Sequence, residues 1–302
     1  TLGDRSNQTA LSQTDNLINT TNDVQAVTYR FIPHINPGDG GAECTGGVDT
    51  LITVYVNPTP RINVTADDTL CNNSSTTFNI TNPNTSTGVW RYDIDVTYPA
   101  GVTGTLGDQI NQTSLTQTDN LTNTTNNVQA VTYRFIPHIN PGDGGGECAG
   151  GVDTLITIYV NPTPRIIVAA DDTLCNNSST TFNITKPNNV RGVWRYDIDV
   201  TYPSGVTGTL GDQTNQTVLS QTDNLTNTTN NVQAVTYRFI PHINPGDGGV
   251  ECGPGVDTLI TIYVNPTPRI IVSADDTLCN SSSTTFNITK PNNVRGVWRY
   301  DI

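Results

Sequence analysis

The chain has 302 residues, 34% of them hydrophobic, with 14 Lys plus Arg against 27 Asp plus Glu and a formal charge of −13. That charge disfavours nucleic acid and anionic membrane surfaces as partners. No apolar run approaches the roughly 18 residues of a membrane span, and no basic start precedes an apolar stretch. The sequence therefore predicts neither membrane insertion nor a signal peptide, and the amino-terminal Thr1 reads as a processed or trimmed end that says nothing for the cytoplasm.

Self-similarity governs what counts as a domain. The stretch VYVNPTPRI at 54–62 returns as IYVNPTPRI at 158–166 and again at 262–270. Cys44, Cys148 and Cys252 stand 104 positions apart, as do Cys71, Cys175 and Cys279, and Trp90, Trp194 and Trp298. In NPTP neither proline can donate a ladder hydrogen bond, so the tetrapeptide ends one strand and stiffens the passage to the next segment. Taken as the joint, it predicts complete repeats at 61–164 and 165–268, the back part of a repeat at 1–60 and the front part of one at 269–302.

The two end pieces together lack ten positions of a full period, those of DVTYPAGVTG at 95–104. A lone half-sandwich exposes an apolar face and unpaired edges. Two arrangements cover that face. The chain is a window of a longer array, or its front part joins the back part of a neighbouring copy, which gives a head-to-tail filament. The expected partners are thus copies of itself or further repeats of the same chain, end to end.

Within one period, in chain order, the expected strands are RIIVA from Arg165, TTFNI at 180–184, GVWRYDIDVTY at 192–202, one or two weaker strands in 209–225, VQAVTYRFI at 232–240 and VDTLITIYV at 256–264. In the penultimate strand Val235, Tyr237 and Phe239 share one face while Thr236 and Arg238 take the other, a period of two. No stretch keeps helical spacing over three turns, and Thr, Asn and Gly are too frequent for helix interiors. The fold class is all-β, an antiparallel sandwich repeated in tandem. Trp90, Trp194 and Trp298 are its expected core centres.

A Cys before the second strand, a Trp in the third, VTYRF in the penultimate strand, a Cys-Gly-rich turn and a last strand ending NPTP resemble the PKD-like and immunoglobulin-like repeats of large secreted surface proteins of Bacteroidota. The resemblance implies spacers, stalks and adhesive modules at the cell surface, with no catalytic residues to carry over. The near identity of the repeats and the long Asn-Thr-rich stretch before VTYRF depart from that pattern and favour a polymer of one module. The function expected is a structural subunit or segment of an extracellular filament; the alternative is the stalk or a carbohydrate-binding region of an adhesin, whose partner is surface carbohydrate.

Six cysteines, none in a C-x-x-C arrangement, favour disulfides and an oxidising location. Pairing inside a repeat gives Cys71 with Cys148 and Cys175 with Cys252, leaving Cys44 and Cys279 for a neighbouring piece. The alternative pairs Cys44 with Cys71, Cys148 with Cys175 and Cys252 with Cys279. In immunoglobulin order the intra-repeat ends lie far apart for a bond that needs Cα atoms within about 7 Å, so both schemes stay open.

The strongest chemical signal is N-x-S/T. The acceptors are Asn7, Asn19, Asn63, Asn72, Asn73, Asn79, Asn84, Asn111, Asn120, Asn123, Asn176, Asn177, Asn183, Asn215, Asn224, Asn227, Asn280 and Asn287. Covalent N-linked glycan is expected on them, most clearly at Asn79, Asn183 and Asn287, each beside a core-facing Phe and so on the outer face. An unmodified Asn-Thr-rich surface is the alternative.

Nothing suggests an enzyme or a cofactor. There is no G-x-S-x-G, phosphate loop, H-E-x-x-H or dinucleotide fingerprint. His34, His138 and His242 each follow a proline without a second ligand at metal spacing and read as turn residues. ADDT at 66–69 and YDID at 92–95 offer carboxylates for calcium but lack the spacing of a calcium loop, so they read first as charged turns and solvated strand faces.

Overall fold

The computed structural model describes residues 2–142, 144–246 and 249–302. Thr1 and part of the NPGDGG turns, Asp143, Asp247 and Gly248, lie outside the described residues. Every regular element is a strand, in agreement with the period-two reading.

The strands are β1 (Gln25–Phe31), β2 (Thr50–Val56), β3 (Asn63–Thr65), β4 (Thr69–Leu70), β5 (Ser74–Thr81), β6 (Val89–Thr97), β7 (Val102–Thr103), β8 (Gln109–Gln112), β9 (Thr116–Asn123), β10 (Gln129–Asn140) and β11 (Thr154–Val160). There follow β12 (Ile167–Ala169), β13 (Thr173–Leu174), β14 (Ser178–Thr185), β15 (Val193–Thr201), β16 (Val206–Thr207), β17 (Gln213–Gln216), β18 (Ser220–Asn227), β19 (Gln233–Asn244), β20 (Thr258–Val264), β21 (Ile271–Ser273) and β22 (Asn287–Thr289). From β3 to β11 and again from β12 to β20 the same nine strands follow in the same order. Among the described residues they form four-stranded sheets β3-β5-β9-β7 and β12-β14-β18-β16, five-stranded sheets β4-β11-β10-β6-β8 and β13-β20-β19-β15-β17, and two-stranded sheets β1-β2 and β21-β22. Pairing is mainly antiparallel, as in β6 on β10 and β15 on β19, while the two-residue edges β4 on β11 and β13 on β20 are parallel.

The chain divides into two compact units. The first comprises Thr1–Asp67, Ser75–Leu121 and Ala130–Ile158. Its core is aromatic: the Phe78 ring lies 4.5 Å from Tyr133 and 5.4 Å from Phe135, and Tyr92 lies 6.2 Å from Phe135. The second comprises Asp68–Ser74, Thr122–Gln129 and Tyr159–Ile302. There Phe182 lies 4.5 Å from Tyr237 and 5.3 Å from Phe239, and Val168, Leu225, Val235, Ile262 and Val264 close around them. Alternation produces this directly: along β14 every second residue is buried, with Thr180, Phe182 and Ile184 inward.

Three details differ from expectation. Trp194 is buried, but Trp90 and Trp298 are only half-buried, so the centres of the packed cores are Phe and Tyr. Trp90 donates its indole N–H to the Arg61 carbonyl (3.1 Å) and Trp194 to the Arg165 carbonyl (3.2 Å). His138 and His242 are not turn residues but lie in β10 and β19, which run on through Pro137 and Pro241. The Pro241 carbonyl accepts from Gly255 on the β20 side, where the ladder has already ended at Phe239 and Thr258, so the missing N–H removes no bond. Each imidazole instead sits between two carboxylates: His242 is 2.6 Å from Glu251 and 3.3 Å from Asp197, and His138 is 2.5 Å from Glu147 and 3.3 Å from Asp93.

The third concerns sulfur. Within the second unit Cys71 is bonded to Cys252, with Cα atoms 5.2 Å apart and 181 positions between them in sequence. This matches neither pairing scheme read from the sequence. Cys71 follows the edge strand β4, and the loop after β19 carries Cys252 to it, so the short distance arises between consecutive repeats. Cys44, Cys148, Cys175 and Cys279 remain thiols.

Candidate assembly surfaces

Two kinds of surface bear on function: the joints at NPTP and the apolar faces of the end segments. At the joint within the second unit Pro162 and Pro164 are buried. Asn188 accepts from the Arg165 N–H (2.6 Å) and donates to the carbonyls of Asn126 and Thr163 (3.3 Å each). Asn161 makes a reciprocal pair with Arg191, accepting from its N–H (2.8 Å) and donating to its carbonyl (3.0 Å). The Arg191 guanidinium stacks 3.9 Å over the Tyr159 ring and reaches Asp68 at 2.5 Å. The same set recurs with Asn292, Asn265, Arg295, Tyr263 and Asp172. In the first unit Asn84 and Asn57 hold Arg61 and Thr87 in the same way. An amide that both accepts and donates across a joint fixes two chain segments at once, and prolines reduce the freedom lost in doing so.

Asp119 and Asp223 hold the inner end of each sandwich. Asp223 is fully buried and accepts from the Tyr202 hydroxyl (2.6 Å), the Tyr237 hydroxyl (2.7 Å) and the N–H groups of Thr209 (2.6 Å) and Leu210 (3.0 Å). A buried carboxylate persists because its lone pairs are filled. Burial, with the bond to Asp223, pushes the Tyr202 hydroxyl up to about 12, and Tyr98 beside Asp119 likewise to about 12. Burial raises Tyr133 and Tyr237 still further.

The acceptor asparagines divide into three groups. Asn79 and Asn183 are exposed on β5 and β14 beside buried Phe78 and Phe182, and Asn287 is exposed as well. Asn7, Asn63, Asn73, Asn111, Asn120, Asn177, Asn215, Asn224 and Asn280 also face outward, while Asn19, Asn72 and Asn176 are half-exposed. Asn84, Asn123 and Asn227 are buried. The Asn227 amide donates to the carbonyls of Asn231 and Val264 (2.8 Å each), and its oxygen accepts from the Thr229 N–H (2.9 Å) and hydroxyl (2.8 Å). Asn123 does the same with Asn127, Val160 and Thr125. Here Asn-x-Thr is a knot that closes a turn onto a strand, with no amide hydrogen left for a sugar. The carboxylates considered for calcium are otherwise engaged: Asp67 accepts from Thr76, and Asp68 pairs with Arg191. Among the described residues no group of three or more His, Cys, Asp or Glu could hold a metal ion, and no helix is long and apolar enough to cross a membrane.

The end segments expose what the middle of the chain buries. In β1 and β2, Phe31, Ile52 and Val54 lie open, and they form a shallow groove with Leu17, Tyr29 and Leu2. The counterparts of Tyr29, Phe31 and Val54 one period on, Tyr133, Phe135 and Ile158, are fully buried, and that of Ile52, Ile156, is half-buried. At the other end Phe286 is 59% exposed, whereas Phe78 and Phe182 are 0% exposed; Ile270, Val272 and Tyr300 are open too.

No family model and no curated protein matches the sequence. Among solved structures, similarity is found to alpha-2-macroglobulin of Escherichia coli activated by porcine elastase, at 8% identity and a TM-score of 0.26, over 83% of this chain and 30% of that one. The trypsin-activated E. coli protein gives 11% identity and 0.20 over 83% and 20%, and a mutant alpha-2-macroglobulin of Salmonella gives 11% and 0.18 over 87% and 20%. The chain spans less than a third of each of these proteins, and likeness at this level assigns neither family nor activity. The geometry itself establishes an all-β chain of four- and five-stranded sheets consistent with tandem, sandwich-like modules.

Proposed function

We propose that this chain is a structural segment of an extracellular, glycosylated bacterial surface filament made of PKD-like, immunoglobulin-like repeats of 104 residues, with 61–164 and 165–268 complete. Copies of itself or further repeats of the same chain, end to end, cover the front segment 269–302 and the back segment 1–60. The observation that carries this is the contrast between Phe182, packed on Tyr237 and Phe239, and Phe286, the same residue one period later and open to water. Tyr29 and Phe31, the counterparts of Tyr237 and Phe239, are the complementary surface at the other end of the same chain. Burying such a ring is worth about 1.5–3 kcal/mol, and complementary faces at opposite ends propagate without closing.

The strand orders support the immunoglobulin-like assignment, because the first, third, fifth and seventh strands of each nine form one sheet and the penultimate and last strands lie side by side in the other. The disulfide supports an oxidising, extracellular setting. The role is mechanical, with no catalytic step: the Asn-Arg-Asp joints transmit load, and sugar on the outward Asn79, Asn183 and Asn287 covers the sheet bearing β5 and β14. Electron microscopy and sedimentation of the purified chain test the reading. Filaments are expected for the wild type and their loss for Phe286→Asp, with the strand signal in circular dichroism kept; a monodisperse monomer from the wild type at high concentration overturns it.

A further inference from the structure

The one disulfide among the described residues redraws the covalent path along the chain. Cys71 follows β3 and β4, the first two of one set of nine strands, and Cys252 precedes β20, the last strand of the next set. The bond joins positions 181 apart in sequence across 5.2 Å between Cα atoms. Every strand from β5, which starts at Ser74, to β19, which ends at Asn244, lies inside the loop it closes, and so does the proline joint at 161–164. A tension applied along the chain on the two sides of the bond therefore runs through β3 and β4, crosses the two sulfurs and leaves through β20. The backbone of 72–251 is bypassed. This path follows from covalent connectivity alone and is the same whatever chain lies on either side of it.

The strands that stay on the path are fastened sideways to sheets that do not. β20 pairs with β19 over seven residues, from Gln233 with Val264 to Phe239 with Thr258, and its Ile262 and Val264 are fully buried. β3 pairs with β5 through Asn63 with Thr81, Val64 with Ile80 and Thr65 with Asn79, and β4 with β11 through Thr69 with Tyr159 and Leu70 with Val160. Antiparallel hydrogen bonds lie perpendicular to their strands, so a pull along β20 strains its whole ladder at once instead of one bond after another. The aromatic cores around Phe78 and Phe182 are attached to the path without being strung along it. The bond itself is sheltered, since Cys252 is 3% exposed within the core of the second unit and Cys71 is half-buried against that core.

We infer that Cys71–Cys252 is a load shunt: while the bond is intact, tension passes by strands β5 to β19, and its reduction places 72–251 in the line of force. This deepens the mechanical reading and rests on it for its purpose, though not for its path. Reduction is a thiol–disulfide exchange. A thiolate of an external dithiol such as dithiothreitol bonds to the sulfur of Cys71, the more exposed residue of the two, and Cys252 leaves as a thiolate and takes a proton. The second thiol of the reductant then closes the reductant's own disulfide and releases Cys71 as a thiol, so that two electrons pass from the dithiol to the protein.

The test stretches single full-length chains between handles attached at the two termini. The wild type should stop about 600 Å short of full extension, taking roughly 3.5 Å per residue, and should gain that length in one step when dithiothreitol is added under load. A variant with Cys44→Ser, Cys148→Ser, Cys175→Ser and Cys279→Ser keeps only this pair and should show the same deficit and the same step. Adding Cys71→Ser and Cys252→Ser to it should give full extension without reductant, with the strand signal in circular dichroism kept. Full extension of the four-serine variant without reductant, or a wild-type deficit of a different size, overturns the shunt; filaments in electron micrographs of the same protein then leave the filament reading standing. A chain that shows the deficit and the step but forms no filaments keeps the shunt and overturns the filament reading.

Discussion

Residues 178–198 and 282–302 have the same sequence, SSTTFNITKPNNVRGVWRYDI, and different structures. In the first, β14 runs the full Ser178–Thr185, β15 begins at Val193, and Phe182 and Tyr196 are 0% exposed. In the second the one strand is Asn287–Thr289, paired with Ile271–Ser273, Asn293 makes an isolated bridge to Asn231, no strand forms at 297–302, and Tyr300 is 45% exposed. What differs is the partner. β14 lies between β12 and β18, and β15 between β19 and β17, whereas among the described residues β22 has β21 as its one strand partner. A strand is half of an interaction, and the backbone of 297–302 has no ladder to join. The joint hydrogen bonds, by contrast, form in both places, with Asn188 at Arg165 and Asn292 at Arg269, because both of their partners lie within the chain on each side of the proline pair.

The sharpest break of this comparison is the phenylalanine itself. Phe182→Ala should cost the second unit about 3–5 kcal/mol, read by denaturant unfolding. Phe286→Ala should leave that unfolding unchanged and weaken self-association instead. Equal losses in both would show that the end segment is already packed.

Next in size is the buried carboxylate. Asp223→Ala strands two tyrosine hydroxyls and two backbone donors, each costing roughly 1–3 kcal/mol when left unpaired. A drop of several kcal/mol in the second unit is expected, against a smaller one for Asp15→Ala, where the counterpart Tyr29 bond (2.7 Å) lies in an open segment. Denaturant melts of both variants check the order.

Alkaline pH separates the same regions. Tyr98 and Tyr202 have folded values of about 12 against an ordinary 10, so their contribution is fully present below pH 10 and lost as pH rises through 12. Tyrosinate absorbance should rise first for exposed phenols and only with unfolding for Tyr98, Tyr133, Tyr202 and Tyr237. A single transition at the ordinary value for all of them would contradict the buried network.

Smallest is the joint. Asn161→Ala removes a reciprocal pair worth roughly 0.5–1.5 kcal/mol per bond. Amide exchange at Arg191 should quicken while the sandwich cores stay protected. Glycopeptide mapping adds a further contrast without a mutation, with sugar expected at Asn79 and Asn183 and none at Asn123 or Asn227; unmodified Asn79 and Asn183 would remove the glycan reading.

Much of the site was legible in particular residues. Val235, Tyr237 and Phe239 announced their face by alternation, and Phe182 announced that of Asn183. Asp223 could have been found in the same way, since Asp223, Leu225 and Asn227 alternate inward along β18. The buried role of Asn227 was hidden because N-x-T reads the same whether its amide meets a sugar or two carbonyls. The useful signal was its place immediately before a turn into a core strand.

By itself the sequence determined the strand period, the 104-residue recurrence, the proline joints and the outward position of Asn79 and Asn183, because these depend on neighbours along the chain. Only the tertiary structure decided that Cys71 meets Cys252, that Asn123 and Asn227 are internal, and that 282–302 stays open where 178–198 closes. Each of these depends on a partner many residues away, and the local pattern that makes a strand able to pair says nothing about whether the partner is there.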